Sequence, residues 1–182
     1  FNGVSALMAN YFPDSGSSLK DLTLGSAIVN IGDRAFQSCK ALQSVTIGDN
    51  VTRIGNYAFG SCSALQSVTI PDSVTSIRGG AFDQCNALQS VTIGGSVTSI
   101  GYKAFFACSS LTSIVIPDSV TSFETYSKEG TDYGAQTFSG CTNLESIVVG
   151  EGLKDLGPSS FHSCTNLKVV TLGSNVKNIG PS

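Results

Sequence analysis

The chain has 182 residues and a formal net charge of −3, and only 13% of its residues are charged, against roughly 25% in a typical soluble protein. Ser, Thr, Asn and Gln must therefore carry most of the solvated surface, and the acidic balance argues against nucleic acid or anionic lipid as the main partner. No apolar run approaches the roughly 18 residues that span a bilayer, so no membrane insertion of this segment is expected.

The N-terminal stretch FNGVSALMANYF has neither an initiator Met nor the basic start of a secretory signal, and it is read as the beginning of a processed or excised fragment. A repeat is already running there. Val4 and Leu7 precede Phe12 with the spacing that Val51 and Ile54 have to Phe59, and Ser15 or Gly16 stands where a Cys recurs later. From there on the Cys residues fall at 39, 62, 85, 108, 141 and 164, spaced 23 apart except for one interval of 33. Each has a Phe three residues before it, from Phe36 to Phe161, and a Leu three residues after it, from Leu42 to Leu167.

Within one unit, such as AFGSCSALQSVTIPDSVTSI at 58–77, two periodicities alternate. LQSVTI has the period of two of a strand with one buried face. VTSI is a second short extended piece, set off by turns such as Pro71-Asp72-Ser73 and Pro117-Asp118-Ser119. AFxxC has apolar residues at i, i+1 and i+4, which predicts a single helical turn. A Gly usually follows the second strand (Gly32, Gly55, Gly101, Gly157, Gly180), where a positive φ is expected. Arg78 departs from this pattern, with Gly79 and Gly80 directly after it. At the C-terminal end Val176 and Ile179 complete the last unit.

A lone unit cannot fold. Burying its apolar side chains yields at most ~20 kcal/mol, while ordering its backbone costs ~1–2 kcal/mol per residue. Neighbouring coils must supply the rest, and the consequence is a solenoid. With no break in composition, residues 1–182 are expected to form a single domain of about seven coils, partial at both ends.

The phrase L-x-x-V-x-I, preceded by Cys and followed by PDSVTSI and AFxxC, resembles the BspA-like, Treponema-type leucine-rich repeats. The resemblance runs from Val4 to Ile179. It implies an α/β leucine-rich-repeat solenoid of 23-residue coils, with a parallel sheet on the concave face and short helical turns on the convex face. It also implies a secreted or surface-anchored bacterial protein used for adhesion or protein binding, extracellular in location, with no catalytic residues to carry over.

Every Cys occupies the same place in its coil, so neighbouring side chains run parallel with Cβ atoms ~4.8 Å or more apart. A disulfide wants ~3.5–4.5 Å, and a ladder of buried thiols, each a weak donor to a loop carbonyl, is expected instead. His162 is the only imidazole; it is read as solvent-facing, without the positioned acid and oxyanion hole that serine chemistry needs. Asp49, Asp72 and Asp118 are read as turn residues, too sparse for Ca²⁺. No catalytic, cofactor or metal site is expected.

Two surfaces remain as candidates for binding. Outward positions of the main strands form a hydroxyl-rich face that includes Gln66, Ser67, Gln89 and Ser90. The long interval holds a ten-residue insertion at 124–133 with Tyr126, Lys128, Glu129, Asp132 and Tyr133, a composition suited to an interface. The expected partner is a host or matrix protein or glycan. The alternative is a structural spacer that presents another domain. An uncapped last strand implies either more repeats in the parent chain or end-to-end self-association of this fragment.

Overall fold

A computed structural model of the chain describes residues 18–180 together with the backbone of 6–7. The repeat phase at Val4, Phe12 and Ser15 or Gly16 lies outside the described residues. In chain order the strands are β1 (Ala6–Leu7), β2 (Asp21–Thr23), β3 (Asn30–Ile31), β4 (Ser44–Thr46), β5 (Arg53–Ile54), β6 (Ser67–Ile70), β7 (Ser76–Ile77), β8 (Ser90–Ile93), β9 (Ser99–Ile100), β10 (Ser113–Ile116), β11 (Ser122–Phe123), β12 (Ser127–Lys128), β13 (Thr131–Asp132), β14 (Ser146–Val149) and β15 (Val169–Leu172).

All of these strands except β12 and β13 make a parallel-strand β-solenoid. The longer strands pair in parallel as β2-β4-β6-β8 and as β10-β14-β15, and the short strands as β1-β3-β5-β7-β9-β11. Register follows the sequence repeat: Ser44 pairs with Ser67 and Ser67 with Ser90, one period apart. The alternation of LQSVTI decides which side faces in. Val68 and Ile70 are buried while Ser67 and Thr69 are exposed, as a period of two requires.

The turn segments differ from the expected helical turn, and no helix occurs among the described residues. Two residues per coil take left-handed backbone: Tyr57 (φ 52°) and Ser61 (φ 60°) in the Cys62 coil, Lys103 (φ 56°) and Ala107 (φ 54°) in the Cys108 coil. A right-handed helix tolerates neither. The reason lies in the backbone hydrogen bonds, which alternate between local and inter-coil partners. Ala58 and Cys62 donate locally, to Gly55 O at 3.3 Å and Phe59 O at 3.2 Å. Phe59 N donates instead to Ala81 O of the next coil at 2.8 Å, and Phe36, Phe82, Phe105 and Phe138 do the same in theirs. The segment is a run of β-turns pinned sideways by an inter-coil ladder, and that ladder satisfies donors a helix would have satisfied internally.

Two ladders of side chains fill the core. Phe36, Phe59, Phe82, Phe105, Phe138 and Phe161 stack face to face, with centroids 5.3–5.8 Å apart and ring planes within 10°. Beside them run the free thiols, buried except for half-buried Cys164. Each of five Sγ atoms donates to the carbonyl of the preceding coil's Phe: Cys62 to Phe36, Cys85 to Phe59, Cys108 to Phe82 and Cys141 to Phe105, all at 3.2 Å, and Cys164 to Phe138 at 3.1 Å. Burial pushes the Cys85 and Cys141 pKa values up to about 12 and that of Cys164 up to about 11, and it raises those of Cys39, Cys62 and Cys108 as well.

The glycines after the short strands also act differently from the expectation. Of the five, only Gly157 has a positive φ, 69°. At Gly55 the constraint is proximity: a Cβ would sit 2.6 Å from Asp33 N and Gly32 C of the neighbouring coil. The turn aspartates tie coils together too, with Asp72 Oδ1 accepting from Gly95 N at 2.7 Å and Asp118 Oδ1 from Glu151 N at 2.9 Å. In the last described coil Val169, Val170 and Ile179 are exposed, at 54%, 46% and 70%, whereas Ile147, the counterpart of Val170 one coil earlier, is fully buried.

Candidate functional site

The insertion folds into an antiparallel hairpin of β12 and β13, pairing Ser127 with Asp132 and Lys128 with Thr131. Its two-residue loop, Glu129 (φ 53°) and Gly130 (φ 80°), has positive φ at both positions, the type I′ geometry that matches strand twist. The ladder continues outward through Tyr133 N to Tyr126 O at 2.8 Å and Tyr126 N to Gly134 O at 3.2 Å. Asp132 Oδ1 accepts from Gly134 N at 2.8 Å, and Gln136 Nε2 donates to Tyr133 O at 2.8 Å. All five residues expected here, Tyr126, Lys128, Glu129, Asp132 and Tyr133, are exposed. The Lys128–Glu129 pair at 3.8 Å is wholly on the surface and contributes little.

Two contacts brace the hairpin against the solenoid. Tyr126 stacks on Tyr102, centroids 5.3 Å apart at 29°, and Tyr133 leans on Tyr126 at 5.8 Å. Glu124 Oε1 meets Arg78 Nη1 at 3.4 Å. Arg78 and Glu124 hold one position of the repeat in alternate coils, with Gly101 between them. A side chain at Gly101 would run into the Arg78–Gly79 backbone, so this position has room only for groups that reach across from either side.

The Arg78-Gly79-Gly80 departure now has a structural meaning. The Cys85 coil presents Gly79-Gly80 where its neighbours present Asn56-Tyr57 and Tyr102-Lys103. Tyr57 N donates to Gly79 O at 2.9 Å and Gly80 N to Tyr102 O at 2.8 Å, which makes the three coils adjacent at this point. The Tyr57 ring leans over Gly80, where a Cβ would fall 2.5 Å from its Cδ1. Gly79 is less crowded, though a Cβ there would still press on Tyr102 O at 3.2 Å and Asn56 Oδ1 at 3.3 Å. The result is a cleft of 510 Å³ floored by Gly79 and walled by Asn56 and Tyr57 on one side and Tyr102, Glu124 and Tyr126 on the other.

The charges around this cleft are held in place. Lys103 Nζ lies 5.2 Å from the Tyr102 ring centroid and 4.5 Å from that of Phe106, and the Arg34 guanidinium lies 5.9 Å from that of Tyr57, cation–π distances. Burial acts upward on the Asp33 carboxyl. The Asn56 side chain and backbone N–H that donate to it, with Arg53 and Arg78 nearby, outweigh that and hold its pKa below the ordinary value. Asn56 in turn accepts from Gly79 N at 3.1 Å, so its amide is oriented at the rim.

Sequence reasoning singled out the insertion at 124–133 but not its hairpin fold, and it did not name Asn56, Tyr57, Gly79 and Tyr102. The signal was available, since 56, 79 and 102 are one period apart and the middle residue is Gly. Gln66, Ser67, Gln89 and Ser90 are exposed on the outward side of the β6–β8 sheet, a different sheet from the one that carries the hairpin. His162 is exposed on a turn segment, its Nδ1 3.0 Å from Ser163 Oγ. Among the described residues, no group of three or more His, Cys, Asp or Glu is placed to hold a metal ion, and no helix is long and apolar enough to cross a membrane.

Comparison with known proteins adds three findings. The family described as BspA type leucine rich repeat region matches residues 6–132 and 125–182, in six copies. No curated protein sequence matches the chain. Among solved structures, the leucine-rich-repeat protein of T. pallidum is 27% identical with a TM-score of 0.76, over 96% of this chain and 77% of its own. A leucine-rich-repeat protein from Bacteroides ovatus is 28% identical with a TM-score of 0.64, and this chain covers 45% of it through 89% of its own length. A leucine-rich cell surface protein from Faecalibacterium prausnitzii is 26% identical with a TM-score of 0.58, over 97% of this chain and 61% of its own. The chain therefore spans less than two thirds of the last two.

Proposed function

The chain belongs to the BspA-type leucine-rich-repeat family, and on that footing we propose that it is a non-catalytic binding and adhesion module of a secreted or cell-surface bacterial protein. The observation that carries this reading is the braced hairpin. An insertion without consequence costs little as a loose loop, yet this one has a type I′ turn, a tyrosine stack onto Tyr102 and an ion pair to Arg78. Exposed tyrosines on a rigid support provide contact area at low entropic cost. The similarity to a protein described as a leucine-rich cell surface protein supports the extracellular placement.

Deleting 124–133 returns the Cys108–Cys141 interval to the common period, so the shortened chain should fold. Retention of the labelled chain on immobilised extracellular-matrix extract should fall sharply on that deletion, and less on charging the strand face with Ser67→Asp and Ser90→Asp. Unchanged retention in both variants would favour the spacer reading, which the uniform Phe and Cys ladders also suit. The apolar face at Val170 and Ile179 is proposed to stack on a further repeat of a longer chain or, in this segment by itself, on a second copy. Val170→Lys should then abolish any concentration-dependent growth in mass by light scattering.

A further inference from the structure

We infer that a second cavity, on the turn side of the coils around Ser139, binds an acidic sugar, one ring that carries a single carboxylate or sulfate ester. The assignment rests on the segment being a binding module and names the chemistry of what it binds. The cavity has a volume of 430 Å³, within the ~300–1,000 Å³ of small-ligand sites. Lys103 and Phe106 line it from the Cys108 coil, Gln136 and Ser139 from the Cys141 coil, and Ser159 and His162 from the Cys164 coil. Its floor follows from the repeat. Ser139 stands at the position that Phe106 and His162 hold in the coils on either side, as Ala107 N to Ser139 O and Gly140 N to His162 O, both at 2.8 Å, establish. A small residue between two ring-bearing ones leaves a hollow. Ser139 is only 5% exposed, and its hydroxyl has no hydrogen-bond partner among the described residues. Buried polar groups are paired as a rule, so an unpaired hydroxyl on a cavity floor points to a ligand.

The other polar groups set what that ligand must carry. Gln136 commits Nε2 to Tyr133 O at 2.8 Å, which leaves its Oε1 to accept from a ligand hydroxyl. Lys103 supplies the one full charge on the lining, where no carboxylate occurs. Its ammonium rests 4.5 Å from the Phe106 ring centroid, a cation–π contact that holds it at the wall. Burial raises the pKa of the Asp83 carboxyl, and Lys103 only partly opposes this; the two form no ion pair among the described residues. Lys103 also borders the Gly79 cleft, but Glu124 there is taken by Arg78. One fixed cation suits one negative group. A neutral sugar gives Lys103 no counter-charge, and a bare carboxylate brings no hydroxyl to Gln136 Oε1. A sugar acid brings both.

The test is a titration of the uniformly ¹⁵N-labelled chain with methyl glucuronoside, the methyl glycoside of N-acetylneuraminic acid and sulfated N-acetylglucosamine, with methyl glucoside as the neutral control. At least one acidic sugar should give saturable amide shifts at Gln136, Ser139, Gly140 and His162, and the carboxylated and sulfated arms tell which acid is read. Lys103→Gln should weaken that binding about tenfold, the scale of one charge-assisted hydrogen bond. The fold accepts Gln there, because Gln136 holds the same place in the next coil with φ 46° against 56°. Ser139→Ala should weaken binding several-fold without lowering the melting temperature, since no protein partner is lost. Lys40→Gln, which removes an exposed charge beside Cys39, should leave binding unchanged. No saturable shift with any acidic sugar would overturn the assignment. Equal binding of methyl glucoside, equal binding of acetylglycine, or unchanged binding in both Lys103→Gln and Ser139→Ala would overturn it too. If acidic sugars fail while retention on matrix still depends on 124–133, the sugar assignment falls and the binding reading stands.

Discussion

Raising the pH should loosen this solenoid through its thiols. Burial pushes the pKa of Cys85 and Cys141 from an ordinary 9.0 up to about 12 in the folded chain. A group with a raised folded pKa holds its proton more tightly when folded. Its contribution is therefore complete below about pH 9 and is lost progressively between there and about pH 12. At about pH 10 each of these two thiols costs on the order of 1 kcal/mol, because the unfolded thiolate forms and the folded one does not. Together they remove roughly 2–3 kcal/mol from a stability that is typically ~5–15 kcal/mol. Cys62 and Cys108, also raised by burial, push the same way. Urea unfolding followed by circular dichroism in steps from neutral to about pH 11 measures the loss. Tyrosine and lysine titrate in the same range, so the decisive comparison is with Cys85→Ala/Cys141→Ala. That variant starts less stable but should decline less steeply above about pH 9. An identical slope in the two proteins would refute the reasoning.

Other outcomes follow from the same geometry. Phe82 is fully buried with stacking partners at 5.4 Å on both sides, so Phe82→Ala should cost ~3–5 kcal/mol; Phe161→Ala, half-buried with one stack, should cost clearly less in the same urea series. Gly55→Ala places a Cβ 2.6 Å from the neighbouring backbone, and the melting temperature should fall although Ala is otherwise a mild change. Gly130→Ala meets open space but a φ of +80°; it should cost ~1–2 kcal/mol within the hairpin only, seen as faster amide exchange at Tyr126 and Tyr133 with little change in global melting. Thiol-specific alkylation should label Cys164 ahead of Cys85 and Cys108 in the native chain, and all six thiols after denaturation without reductant.

What could be read from the residues alone was whatever repeats along the chain. The spacing of Phe, Cys and Leu implies coils in register, and the alternation in LQSVTI sets which strand side is buried, because both signals are local and every copy says the same thing. The turn segments were not legible that way. AFxxC fits one face of a helical turn, and only the carbonyl of Ala81 lying opposite Phe59 N favours a chain of β-turns with left-handed Tyr57 and Ser61. The glycines misled for a similar reason: Gly55 is required by the backbone of the coil below it, which no single unit contains.

The candidate site shows the same division. Its insertion announces itself as the one long interval between cysteines, and its tyrosines suggest contact. Its other wall is invisible until stacking sets Asn56, Gly79 and Tyr102 side by side and brings Glu124 back over Gly101 to Arg78. Composition and period determined that the chain must stack. Tertiary structure decided where a missing side chain becomes a cleft, because a glycine is an opening only when the coils on both sides are in place.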